Sequence, residues 1–193
     1  SDRIVAHEMV HAITARATGN ALPQWFKEGT AELIHGADER VAGATNNGTN
    51  AAGVASTVNS VTASSFSYAG AYVASRYLHS KLNEMGVDGG IKGIFLYLHE
   101  HQDQGLDQAL NAVTDGAYAD NAAFLTDFHA NGQAYITTKM NLTNADTGAI
   151  GGFDADGGAV KTARNVVADG SARPAGDPLA SLTVREREVL QQR

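Results

Sequence analysis

The chain has 193 residues, 43% of them hydrophobic, which is enough for one domain with a real core and a tail. A formal net charge of −7 argues against nucleic acid as the main partner, because phosphate binding needs a basic surface, and no apolar run is long enough to span a membrane. Cysteine is absent, which removes disulfides and thiolate metal sites and suits an exported protein.

The first element is a helix carrying "HEMVH" at residues 7–11. A helix turns about 100° per residue, so His7 and His11 lie on one face, about 6 Å apart along the axis. On the same wheel Ala6, Val10, Ile13 and Ala17 gather on the opposite side as the expected core stripe. Two imidazoles so placed can each give a nitrogen to one tetrahedral ion, and Glu8 can reach a water on that ion.

Gly19 and Asn20 can stop this helix, and Pro23 suits the start of a second, "QWFKEGTAELIHG". Its Glu28 and Glu32 stand at i and i+4, so both carboxylates share a face that can turn toward the histidines. One can bind and the other support; spacing alone leaves open which. Two histidines, one glutamate and a water make up a catalytic zinc site, whereas a structural site closes the fourth position. His35, two turns beyond Glu28, either lines the pocket or caps the helix end before Gly36.

Residues 36–60 are rich in Gly, Asn, Ala and Ser and read as a long irregular loop beside the site. Helical patterns then cover 68–84, 91–102, 106–113 and 120–139, the last with Phe124 and Phe128 among its apolar anchors. In the first of these, Tyr68, Tyr72 and Ser75 fall on one side, while Val73, Tyr77 and Leu78 are better placed for the core. "LHEHQD" at 98–103 reads as a solvated helix end, because His99 and His101 diverge by about 200°. From Asn141 onward periodicity fades into a linker or short strands, giving a domain over 1–140 and a tail over 141–193. "DADGG" at 154–158 fails the EF-hand calcium pattern, which Gly158 and Asn165 break.

HExxH followed, after sixteen residues, by the glutamate of "WFKEGTAE" resembles the gluzincin metallopeptidases, which include thermolysin-like, collagenase-like and aminopeptidase families. That resemblance implies Zn2+ held by His7, His11 and Glu28, with Glu32 hydrogen-bonding the first histidine from behind and Glu8 as general base. It also implies an oxyanion donor from the tyrosine-rich stretch, Tyr68 first and Tyr72 second. The fold it implies is mainly α and zincin-like, an active-site helix plus a C-terminal helical subdomain. Gluzincins place a β-sheet before the active-site helix, and His7 arrives almost at once, so the expectation is a domain whose N-terminal sheet is truncated.

"HEMVHAI", "LPQWFKEGTAELIHGADERV" and "TGAIGGFDADGGAV" are similar to flagellinolysins, flagellins whose outward-facing region is replaced by a zinc metallopeptidase domain. This implies an endopeptidase acting on proteins or peptides, outside the cell, on a flagellar filament among flagellin subunits or secreted. Two other readings compete: a catalytically silent filament domain with a zinc site, and an aminopeptidase, which would need a carboxylate pocket for the substrate amine. "LTVREREVLQQR" at 182–193 resembles the opening of a LuxR-type helix-turn-helix, without a recognition helix after it.

Overall fold

A computed structural model describes residues 2–18 and 22–142. Among them are eight α-helices and no strand, so this part of the chain is mainly α. In order they are α1 (Asp2–Ala17), α2 (Gln24–His35), α3 (Asp38–Thr45), α4 (Ala51–Asn59), α5 (Tyr68–Glu84), α6 (Ile91–Glu100), α7 (Leu106–Val113) and α8 (Asn121–Lys139). The calcium-like stretch at 154–158, the glycine-rich segment before it and the 182–193 segment lie outside the described residues.

The centre of the bundle is α5, which touches α2, α3, α4, α6 and α8 and is buried without a break from Ala69 to Leu78. Small residues let its neighbours come this close. A Cβ on Gly29 of α2 would sit 2.1 Å from the Ala71 carbonyl oxygen, and one on Gly70 would sit 2.5 Å from the Thr57 carbonyl. The expected split of this helix into a polar and a core side is therefore corrected. Tyr72 and Ser75 are as fully buried as Val73 and Leu78, because a helix surrounded on all sides has no wet face for periodicity to report.

Residues 36–60 are also corrected, since they form α3 and α4 rather than a loop. Asp38 and Glu39 occupy the first turn of α3, where carboxylates meet the positive end of the helix dipole. Asn46 ends that helix in the left-handed region at φ 49°, and the Asn50 side chain accepts from the Gly53 amide at 3.1 Å to cap α4. Val41, Thr45, Val54 and Val58 then bury one face of the pair.

Aromatic side chains tie α2 to the far helices. The Trp25 ring stacks on Phe124 of α8 at 5.3 Å, its Nε1–H donates to Asn121 Oδ1 at 3.2 Å, and Phe26 meets Phe95 of α6 at 5.5 Å. Burying such a ring contributes on the order of 2–3 kcal/mol. Behind them the Tyr77 and Tyr118 hydroxyls both donate to Asp127 Oδ2. Burial first, and then the Asp127 carboxylate, push both phenols well above the ordinary tyrosine range.

By contrast, α1 lies against α2 and α6 at the side of the bundle. Among its described side chains Val10 alone is buried, while Ile4, Met9 and Ile13 are 65%, 58% and 64% exposed. The expected core stripe holds only for Val10: Ile13 faces solvent, Ala17 is half-buried, and the Ala6 side chain is outside the described ones.

Candidate metal centre

Three side chains from α1 and α2 meet at one point. His7 Nε2 lies 2.9 Å from His11 Nε2 and 3.0 Å from Glu28 Oε2, and His11 Nε2 lies 3.2 Å from the same oxygen. Helix spacing sets the two imidazoles on one face of α1, edge to face with centroids 4.6 Å apart, and the core contacts of Trp25, Phe26 and Gly29 hold α2 so that Glu28 faces them. The His7, His11 and Glu28 side chains keep 13%, 26% and 17% of their surface, so the cluster is partly buried and still reached by solvent.

Charge and proton counting set what this cluster could hold. His7 Nδ1 lies 3.1 Å from Glu32 Oε1. A carboxylate only accepts, so Nδ1 carries the proton, and in the neutral ring Nε2 presents a lone pair. That lone pair, Glu28 Oε2 and His11 Nε2 converge at hydrogen-bond distance, so either a proton on His11 Nε2 or a cation among them could satisfy the acceptors. A tetrahedral zinc about 2.0–2.1 Å from each donor would space them about 3.3–3.4 Å apart, within a few tenths of an ångström of the separations observed. Two imidazoles and one carboxylate suit zinc or a similar first-row ion, whereas calcium and magnesium take oxygen ligands. These are also the described residues whose His and acidic groups cluster closely enough to hold an ion.

Behind the histidine stands a second layer of contacts. Glu32, almost wholly buried, also accepts from Arg40 Nε at 2.8 Å. Arg40 comes from α3, whose first turn is pinned to the core: Asp38 Oδ1 accepts from the Tyr72 hydroxyl at 2.6 Å and from Arg76 at 2.7 Å. Burial, the largest cause, raises the Tyr72 phenol well above its ordinary value, and the neighbouring Arg76 partly opposes this.

The remaining sequence candidates fall in different places. Glu8 is exposed on α1 between the two histidines in sequence. Tyr68, first residue of α5, is 46% exposed, with its ring centroid 6.3 Å from that of His7. Tyr72 is corrected as a pocket residue, because its hydroxyl is engaged with Asp38 and Arg76 in the interior. His35 ends α2 beside Gly36, whose φ of 86° turns the chain toward α3; its side chain is not among the described ones. His101 stacks on Tyr97 at 4.2 Å with Nδ1 on the Tyr97 carbonyl, and His99 Nδ1 lies 3.3 Å from the Ala17 carbonyl, so both tie off helix ends.

Sequence reasoning missed Arg40, Asp38 and Arg76. The signal for the first two was the acidic pair opening a helix at "DERVAGAT", hidden by the loop-like composition around it. A cavity of about 350 Å³ bordered by Tyr97, Gln104 and Asp107 lies elsewhere, and its polar atoms serve internal bonds such as Tyr97 to Gln104 at 2.6 Å. No helix among the described residues is long and apolar enough to cross a membrane. Comparison with protein-family models, with curated proteins and with solved structures finds no match to the chain.

Proposed function

We propose that the chain is a zinc-dependent endopeptidase of the gluzincin type, with a zincin-like arrangement of its active-site helices. One observation carries this reading: His7, His11 and Glu28 converge while Glu32 fixes the His7 ring from behind. An ion held there supplies a water acidified to a pKa of about 7 and a Lewis acid for the scissile carbonyl. The chain's own residues do the rest. Glu8 takes the proton from the attacking water and returns it to the leaving amine. The Tyr68 hydroxyl donates to the oxygen on which negative charge develops. Glu32 keeps the His7 proton on Nδ1, so that Nε2 stays a ligand.

The partial exposure of all three ligand side chains supports a catalytic over a purely structural site, because a structural site closes its coordination shell. Protein or peptide is the proposed substrate. Extracellular display on a flagellar filament, among flagellin subunits, rests on the sequence resemblance.

The test is metal content by mass spectrometry on the 193-residue chain, with cleavage of a peptide library before and after chelation. One zinc per chain and chelator-sensitive internal cuts are expected. Glu8→Gln should keep zinc and lose about 10²–10⁴-fold in turnover, the usual contribution of a general base. Glu28→Ala should lose both. Full zinc occupancy in Glu28→Ala would remove the ligand assignment, and undiminished cleavage by Glu8→Gln would remove the mechanism.

A further inference from the structure

We infer that Arg40 is the positioning residue of the centre, holding its two sides in register through Glu32 and Tyr68. The inference rests on the metallopeptidase reading above and extends it to a residue that touches neither the ion nor the substrate.

Three contacts place Arg40 there. Its Nε donates to Glu32 Oε2 at 2.8 Å, while the other oxygen of that carboxylate faces His7 Nδ1 at 3.1 Å. Glu32 is buried, and a carboxylate withdrawn from water needs a compensating positive charge and directed hydrogen bonds; Arg40 supplies both. Its guanidinium carbon also lies 5.3 Å from the centroid of the Tyr68 ring. One planar group thus bonds at its edge to the carboxylate that orients a ligand and lies over the ring of the proposed oxyanion donor.

The placement of Arg40 follows from the core. Asp38, two residues earlier, is fully buried and fixed to Tyr72 and Arg76 of α5, so the first turn of α3 cannot drift from the helix that begins with Tyr68. The rigid base fixes where the Arg40 side chain starts, and its contacts with Glu32 and Tyr68 fix where the guanidinium ends.

The experiment is a pair of double-mutant cycles on the full chain. Zinc affinity is read by competition with a chromophoric chelator, and kcat and KM are read on a cleaved library peptide with zinc saturating. Arg40→Gln is expected to weaken zinc about tenfold, the low end of what loss of a partner behind a ligand costs. Combined with Glu32→Gln it should add nothing, because Arg40 acts through that carboxylate. At saturating zinc, Arg40→Gln should lower kcat with KM unchanged, and added to Tyr68→Phe it should cost nothing further. Arg40→Lys keeps the charge without the planar fork and should behave like Arg40→Gln.

Wild-type zinc affinity in Arg40→Gln, or losses that multiply in the Arg40 and Glu32 double variant, would overturn the inference. Full recovery in Arg40→Lys would assign the effect to charge alone and overturn it equally. A wild-type chain that binds no zinc would overturn the metal centre itself. Coupled zinc losses in a protein that cuts no peptide would overturn the peptidase reading while leaving the Arg40–Glu32 link standing.

Discussion

Replacing Gly29 with alanine tests the contact that aims Glu28. The added Cβ would lie 2.1 Å from the Ala71 carbonyl oxygen and 2.3 Å from Ser75 Oγ, where ordinary contact begins at 3.4 Å. The Ala71 oxygen is backbone and cannot swing aside, so α2 and α5 must part by about 1.3 Å, at the upper end of the 1–3 kcal/mol that overpacking costs. Alanine returns about 1 kcal/mol of helix propensity, leaving a net loss of about 2 kcal/mol. For a chain of this length that lowers Tm by about 4–8 °C, measurable by circular dichroism. Zinc affinity should fall with it, because the displaced backbone carries Glu28, the proposed ligand next door. Gly43 of α3 is the control: a Cβ there meets nothing within 4 Å, so Gly43→Ala should stabilise by about 1 kcal/mol. A Gly29→Ala protein as stable as wild type, with unchanged zinc affinity, would refute the close α2–α5 approach.

Asp38→Ala should destabilise by about 3–5 kcal/mol in urea titration, because it strips a buried guanidinium of the carboxylate 2.7 Å away; a loss under about 1 kcal/mol would contradict the buried pair. His79 is expected to make stability pH-dependent. Its Nδ1 accepts from the Ile91 amide at 3.1 Å, and burial, followed by the nearby Arg76 charge, lowers its pKa below the ordinary 6.5. Below that pH the unfolded chain binds a proton that the native ring refuses, so the stabilisation is complete above about 6.5 and is lost as pH falls. The drop in Tm between neutral and mildly acidic buffer should therefore shrink in His79→Gln, and an equal drop in both proteins would count against the assignment.

The meeting of His7, His11 and Glu28 was legible because local spacing places them: i and i+4 on one helix, then a glutamate one reversal later. Much of the bundle was legible for a similar reason, with α5 and α7 beginning and ending where their apolar patterns do. What composition concealed was α3 and α4. Their Asn and Gly residues sit at caps and turns, such as Asn46, Asn50 and Gly48, where a helix needs them, and a count of residue types cannot tell a cap from a coil. The choice between Tyr68 and Tyr72 was not settled by the wheel either, because both lie on the same side of α5. Depth separates them, one at the exposed helix start and one in its buried middle. Arg40 was invisible because its partners depend on how α3 is pinned by Asp38 to a helix more than thirty residues away.

The sparse anchoring of α1 gives a bound ion a mechanical part to play. Val10 is the one buried side chain among those described on this helix, and the polar contacts that tie it to α2 run from His7 and His11 to Glu28 and Glu32. A metal held by both helices would bind the docked arrangement and not the loose one, so its binding free energy would become docking free energy for α1. Chelation would then unlatch the helix as well as silence the chemistry, and amide hydrogens along α1 should exchange faster while those of α5 keep their protection. In such a design the ion would serve as a hasp, and metal scarcity would free a helix that already carries the exposed Met9 and Ile13 to seek another surface.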